Sequence, residues 1–132
     1  MKYMLDTNIC IYLIRKKSIK MLNRLRKIDT DEICISSITL SELEYGIQKS
    51  NFPERNKLAL TEFLVPLTII PYDEVAASEY GKIRTYLEKE GKIIGAMDLL
   101  IGAHALSLDL ILVTNNIKEF ERIRKLKIEN WI

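Results

Sequence analysis

The alternation of short apolar runs with longer amphipathic stretches is the feature that most constrains the fold of this chain. Four short runs stand out, at Tyr3–Leu5, Glu32–Ser36, Leu67–Ile70 and Leu110–Thr114. Short runs of this kind are typical of strands in a parallel sheet that is covered on both faces. The pattern therefore predicts an α/β fold, with a parallel sheet of four to five strands and helices on both faces. Lys127–Trp131 is the candidate for a fifth strand, at the sheet edge.

Helical periodicity fills the segments between these runs. The predicted helices begin after Asp6, cover Ser18–Lys27, begin at Thr39 and at Pro53, and cover Asp73–Glu90, Gly95–Leu108 and Ile117–Arg124. The third of them is placed by Thr39-x-x-Glu42, which fits a capping box.

The composition is that of a globular protein, with 48% hydrophobic and 29% charged residues. A chain of 132 residues is long enough for one domain, so residues 1–132 are expected to form a single one. The sequence lacks an apolar run of about 20 residues and a secretory leader, which favours a cytoplasmic protein without a membrane partner. Cys10 and Cys34, each flanked by isoleucines, are expected to be small buried side chains.

Acidic and amide residues recur at one end of the predicted strands. In a parallel sheet, the segment that leaves a strand and the start of the helix that feeds the next strand lie at the same edge, where ligand sites of α/β proteins form. Six polar side chains are expected at this edge: Asp6, Glu42, Asp98, Asn115, Asn116 and Glu119.

Each acid also has a purely structural explanation. Asp6 could cap a helix, Glu42 could complete the capping box, and Asp98 could be a first-turn acid that the helix dipole favours. Capping does not require three carboxylates to converge, however, and converging carboxylates repel unless protons or a cation intervene. An all-carboxylate site suits Mg²⁺ or Mn²⁺, and zinc is disfavoured because no His or Cys accompanies the acids.

Four segments of the sequence form a distinctive set. They read MLDTN at the start, ISSITLSELEYG (Ile35–Gly46), GAMDLLIGAHAL (Gly95–Leu106) and LVTNNIKEFERI (Leu112–Ile123). Together they resemble the PIN-domain ribonucleases and, more narrowly, the VapC toxins of bacterial type II toxin–antitoxin systems. The resemblance covers nearly the whole chain in the order and spacing of the family. It implies a three-layer PIN-like nuclease domain and an endoribonuclease that depends on Mg²⁺ or Mn²⁺.

The resemblance also implies roles for particular residues. Asp6, Glu42 and Asp98 match the catalytic acids of the family, with Asp6 and Asp98 as metal ligands. Many PIN domains carry a fourth acid just after the fourth strand, but this chain has Asn116 there and Glu119 one helical turn later. Glu119 is a further catalytic candidate, and the fourth position stays open between these two residues.

Other polar residues near the acids are candidates for holding the carboxylates or the waters of a metal ion, although ordinary turn and cap chemistry explains them equally well. They are Thr7, Asn8, Thr114, Asn115 and Asn116. The only histidine, His104, follows Asp98 by six residues and does not share its helix face, so a packed or interface histidine is expected.

The charge balance gives a weaker indication of an RNA-binding surface. With the four candidate acids set aside, 14 acids remain against 20 Lys and Arg residues. Lys16, Lys17 and Arg24 belong to a basic cluster in the early helices that could follow a phosphate backbone. A solvated basic surface is the alternative.

By resemblance, the expected partners are a structured RNA, often tRNA, a VapB-like antitoxin and a second copy of the chain. Two other functions remain open at this point. One is a PIN-type RNA-processing nuclease without an antitoxin, and the other is a non-catalytic module that binds a metal and a partner.

Overall fold

The computed structural model describes residues 1–16 and 18–132, and its centre is a sheet of five parallel strands. The strands are β1 (Tyr3–Leu5), β2 (Ile33–Ser36), β3 (Thr68–Ile70), β4 (Ile111–Val113) and β5 (Lys127–Glu129). Their order across the sheet is β3-β2-β1-β4-β5. The predicted parallel sheet is confirmed, and its fifth strand lies at the edge beside β4.

Helices cover both faces of this sheet, which confirms the three-layer architecture. They are α1 (Thr7–Ile14), α2 (Ile19–Arg26), α3 (Ser37–Gln48), α4 (Pro53–Leu64), α5 (Glu74–Lys89), α6 (Ala96–Ser107) and α7 (Ile117–Phe120). Buried side chains of α1 to α4 pack on one face of the sheet, and those of α5 to α7 pack on the other.

The central strand β1 divides the hydrophobic core into two parts. Successive side chains of a strand point to opposite faces, so Tyr3 and Leu5 belong to one part while Met4 belongs to the other. All three are buried. Cys10 and Cys34 are buried free thiols on opposite faces, which confirms their predicted role as small apolar side chains.

The register of the strands brings their carboxyl ends to a common edge. Leu5 pairs with Val113, and the next residue, Asp6, donates its backbone N–H to the Val113 carbonyl at 3.0 Å. On the other side of β4, the Thr114 N–H donates to the Glu129 carbonyl at 3.0 Å. The backbone therefore holds Asp6 and Thr114 at the end of adjacent central strands.

Two predicted helix boundaries are wrong. Helix α3 begins at Ser37 rather than Thr39, because the hydroxyl of Ser36 caps it by accepting from the N–H of Ile38 at 3.0 Å. Thr39-x-x-Glu42 is therefore not a capping box, and Glu42 lies in the second turn. Helix α7 ends at Phe120 instead of Arg124.

None of the helices in the described part of the chain is long and apolar enough to cross a membrane.

Candidate active site

Asp6 is the most deeply buried acid at the carboxyl edge of the sheet, with only 4% of its surface exposed. Its Oδ1 accepts the backbone N–H of Ile9 at 2.9 Å and caps α1. Burial raises the pKa of Asp6, while hydrogen bonds from the Thr114 hydroxyl and Ile9 lower it and the charge of Glu42 raises it further. Asp6 therefore caps a helix and also lies beside a second acid.

Glu42 approaches this edge from α3. The hydroxyl of Thr7 donates to Oε1 of Glu42 at 2.5 Å. Thr7 directly follows Asp6, so one short segment positions both carboxylates. The buried hydroxyl of Thr39 lies 3.4 Å from the same Thr7 oxygen, one helical turn before Glu42 on α3.

Asp98 and Glu119 form the second half of the site. The amide of Asn116 joins them, donating from Nδ2 to Oε2 of Glu119 at 2.7 Å and to Oδ2 of Asp98 at 3.4 Å. The backbone N–H of Gly95, just before α6, donates to Oε1 of Glu119 at 3.3 Å. A neutral amide and a backbone N–H thus hold two carboxylates side by side.

The electrostatics of this pair are strongly perturbed. Burial, a hydrogen bond with Glu119 and the charges of Glu119, Asp6 and Glu42 raise the pKa of Asp98 to about 7. The pKa of Glu119 is lowered, chiefly because Asp98 donates a hydrogen bond to it, with further support from Asn116, Gly95 and Arg122. Without a bound metal and below about pH 7, Asp98 therefore carries the proton that the pair shares and Glu119 carries the charge.

Not every polar residue predicted at this edge reaches the acids. Thr7, Thr114 and Asn116 hydrogen-bond to the carboxylates, and the Asn116 N–H also donates to the Thr114 hydroxyl at 2.9 Å. Asn8 and Asn115 are exposed. Among residues 1–16 and 18–132, neither of these two side chains hydrogen-bonds to an acid.

Two groups at the site were missing from the sequence prediction. From the sequence, Thr39 is interpreted only as a helix cap. Its position one helical turn before Glu42 places both residues on the same face of α3, and this spacing is the signal that could have identified it. The backbone N–H of Gly95 could not be predicted, because its contact with Glu119 depends on how α6 and α7 pack.

The donor set is suited to a hard divalent cation. The four carboxylates lie close enough together that the charges of Glu119, Asp6 and Glu42 help to raise the pKa of Asp98, and neutral hydroxyl and amide groups are their hydrogen-bond partners. A bound cation would relieve this repulsion. Within the described ranges, no three Asp, Glu, His or Cys side chains already form a group that could share one ion. Mg²⁺ keeps several of its waters and commonly takes only one or two carboxylates directly, so this arrangement fits it.

Lys16 and Arg24, two of the three predicted RNA-binding residues, form no hydrogen bond or ion pair with these acids in the described part of the chain. Lys16 is exposed just after α1. Arg24 forms an ion pair with Glu129 at 3.0 Å and stacks over Trp131, so its guanidinium already has an internal partner. Lys17 lies outside the described residues.

Comparison with known proteins points to one family. The PIN domain family matches residues 3–126. The chain is 48% identical to Ribonuclease VapC2 of Haemophilus influenzae, over 100% of this chain and 99% of that protein. It is 44% identical to the tRNA(fMet)-specific endonuclease VapC of Shigella flexneri, over 99% and 98%. The crystal structure of VapBC2 from Rickettsia felis bound to a promoter DNA fragment matches with a TM-score of 0.94 and 48% identity, covering both chains completely.

The five-stranded parallel sheet with acids at its carboxyl edge is the architecture of a PIN domain, and the chain belongs to that family. Within the family, identity close to one half over the full length places it among the VapC ribonucleases of toxin–antitoxin systems. The resemblance read from its four sequence segments is thereby confirmed, and so is the assignment as an endoribonuclease.

The raised pKa of Asp98 makes a prediction about stability in the metal-free protein. A carboxyl group with a raised folded-state pKa contributes most below its unfolded pKa of 3.8, and this contribution is lost as the pH rises through about 7. The pKa of Glu119 is lowered from its ordinary value of 4.5, so this group stays ionised at both pH 5 and pH 8 and does not contribute to a difference between them. Asp98→Asn should therefore raise the Tm at pH 8 more than at pH 5, by roughly 2–5 °C.

Thermal unfolding in the presence of a chelator measures this difference. Asp31→Asn, at an exposed acid of the turn before β2, is the matched control and should shift the Tm equally at both pH values. A stabilisation by Asp98→Asn that is the same at pH 5 and pH 8 would contradict the assigned charge state.

Proposed function

We propose that this protein is a Mg²⁺-dependent (or Mn²⁺-dependent) endoribonuclease toxin that cleaves structured RNA, tRNA in particular, and thereby inhibits translation. The observation that carries the proposal is the set of four acids, Asp6, Glu42, Asp98 and Glu119, held at one sheet edge by neutral donors. Full-length similarity to a relative named for cleavage of tRNA(fMet) supports the choice of substrate.

Asp6 and Asp98 are the proposed metal ligands, with Glu42 and Glu119 bound directly or through water. A divalent ion held there would supply a bound water of lowered pKa and would neutralise charge on the phosphodiester. Thr7 and Thr114 orient Glu42 and Asp6, which keeps one oxygen of each carboxylate in a fixed direction. Asn116 takes the place of the fourth acid of other PIN domains and holds Glu119 beside Asp98.

A groove beside the site supports a VapB-like antitoxin as partner. It lies between α1, α3 and α4 and has a volume of about 170 Å³. Its walls are mainly apolar, with Ile11, Ile14, Leu43, Ile47 and Leu60 among them, and Glu42 lies on its lining. We propose that the C-terminal segment of the antitoxin packs here and offers an Arg or Lys to the acids, as a basic side chain can replace the charge of the metal. The related Rickettsia felis structure is a VapBC2 complex.

Exposed apolar side chains in the first half of the chain support a homodimer. Leu58 on α4 and Val65, the residue that follows the last residue of this helix, are 60% and 80% exposed. Tyr45 on α3 and Phe52 at the start of α4 are also largely exposed. We propose that this surface of α3 and α4 pairs with a second copy of the chain.

Charge removal at the acids tests the proposed function directly. Asp98→Asn should abolish RNA cleavage without unfolding the protein. Glu119→Gln should raise the Mg²⁺ concentration for half-maximal cleavage about tenfold. It removes the negative charge of one carboxylate near the ion and leaves the proposed ligands Asp6 and Asp98 in place. Glu121→Gln, at an exposed acid two residues further on, is the control and should leave the Mg²⁺ titration in place.

Two results of these titrations would count against the proposal. Cleavage by purified Asp98→Asn at the wild-type rate would remove the metal-site assignment. A Glu119→Gln curve that overlays the wild-type curve would leave only three acids to bind the ion.

The chemical nature of the RNA ends tests the mechanism. His104 is buried, so no histidine is available to deprotonate a ribose 2′-hydroxyl. Hydrolysis by a water that a divalent ion held by these acids would activate should leave a 5′-phosphate and a 3′-hydroxyl, and a 2′-deoxy nucleotide at the cleaved position should not block the reaction. End-group analysis of the fragments measures this outcome, and 2′,3′-cyclic phosphate ends would refute the mechanism.

Sedimentation equilibrium at micromolar concentration tests the dimer. The wild-type chain should sediment as a dimer, and Leu58→Glu should sediment as a monomer because it places a charge in the apolar contact. Leu108→Glu is the control, at a partly exposed leucine in the second half of the chain, and should remain dimeric. A wild-type monomer would contradict the proposed assembly.

A further inference from the structure

His104 is a buried histidine to which the proposed function assigns no role. Its side chain is 1% exposed and lies on α6, six residues after Asp98. Its Nδ1 lies 2.8 Å from the hydroxyl oxygen of Ser36. Ser36 is fully buried and caps α3, the helix that carries Glu42. One buried hydrogen bond therefore joins the two helices from which Asp98 and Glu42 enter the site.

The hydrogen bond between His104 and Ser36 can run in either direction. The Ser36 oxygen accepts the N–H of Ile38 and retains both its own proton and a second lone pair, so it can donate to Nδ1 of a ring protonated on Nε2 or accept from a ring protonated on Nδ1. Within residues 1–16 and 18–132, Nε2 has no hydrogen-bond partner of good geometry. Burial lowers the pKa of His104, which favours the neutral ring, although Asp73 and the Pro71 carbonyl oppose this shift.

The ring and the start of α3 are held from a second side. Tyr72 packs edge-on against His104, with ring centroids 5.4 Å apart. The backbone N–H of the same tyrosine donates to the hydroxyl of Ser37 at 3.0 Å. Two consecutive serines at the beginning of α3 are therefore fixed, Ser36 by α6 and Ser37 by the segment that follows β3.

Stability alone gives little reason for a buried polar pair at this place. Exchanging both partners of such a pair for apolar groups of similar shape is often nearly neutral, whereas a hydrogen bond fixes distance and direction. The His104–Ser36 hydrogen bond fixes the position of the start of α3 relative to α6, which an apolar contact would not do.

We propose that His104 is a positioning residue for the metal site. Through Ser36 it sets where α3 begins relative to α6, and so it sets the separation between the carboxylates of Glu42 and Asp98. This inference rests on the proposed function, in which those carboxylates bind a divalent cation.

Metal binding to three variants tests the inference without relying on cleavage. Mn²⁺ binding, followed by electron paramagnetic resonance, should be about tenfold weaker in His104→Leu, which removes the hydrogen-bond partner of Ser36. His104→Asn presents an amide group near the position of Nδ1, which can accept from Ser36 or donate to it, and should restore most of the affinity. Ile83→Val, which trims a buried side chain of α5 in the same part of the core as α6, is the control and should bind Mn²⁺ as the wild type does.

The outcomes separate this inference from the function on which it rests. A wild-type protein that does not bind Mn²⁺ would refute the proposed metal site itself. If the wild type binds Mn²⁺, then unchanged binding by His104→Leu, or equal weakening in His104→Leu and His104→Asn, would overturn the positioning role alone.

A second measurement does not depend on whether the His104 variants fold. Because His104 is the only histidine, nitrogen-15 spectra of the imidazole report on this one ring. We expect the Nδ1 signal to shift in Ser36→Ala, which removes the hydroxyl that lies 2.8 Å from it. Ring signals that Ser36→Ala leaves in place would overturn the inference.

Discussion

The charge on Asp6, buried at the end of the central strand, is the constraint on which the rest of the site depends. A carboxylate removed from water is costly unless hydrogen bonds or an opposite charge compensate for it. Here the compensation comes from the first turn of α1 and from the Thr114 hydroxyl. Strand β1 pairs on both sides, so the sheet fixes the position of Asp6. The other acids lie on helices that begin near the same edge of the sheet, Glu42 on α3, Asp98 on α6 and Glu119 on α7.

Neutral groups, rather than lysine or arginine, hold the acids in place. Thr7 binds Glu42, Asn116 binds Glu119 and Asp98, and Gly95 contributes a backbone N–H. An ion pair would have cancelled the negative charge of the site, whereas hydroxyls and amides orient the carboxylates and leave that charge available. Burial and the neighbouring acids, whose charges stay in place, together raise the pKa of Asp98.

The sequence was sufficient to predict the sheet, the two covered faces and the acids at the carboxyl edge, because strand alternation and strand-end position are local signals. It was not sufficient where two local signals compete. Thr39-x-x-Glu42 has the spacing of a capping box, but Ser36 lies closer to the strand end and caps α3 instead. Asn8 and Asn115 are polar residues next to the acids in sequence, but both are exposed and neither hydrogen-bonds to an acid in the described part of the chain. Residue type alone does not determine the direction of a side chain.

Contacts between helices that are distant in sequence were also beyond prediction. The contact of His104 with Ser36, and that of Gly95 with Glu119, depend on how α6 packs against its neighbours. Helical periodicity predicts that His104 lies on a different face of its helix from Asp98, but it does not identify Ser36 as the hydrogen-bond partner of His104.

The order of the strands has a consequence for the chain while it is being made. Strand β1 leaves the ribosome first, yet its partner β4 begins more than one hundred residues later, with Tyr3 opposite Ile111. Contacts of such long sequence separation form late in folding, and the acids of the site span Asp6 to Glu119. A nascent chain therefore cannot complete the site before Glu119 has emerged, so ribonuclease activity cannot appear until synthesis has passed that residue.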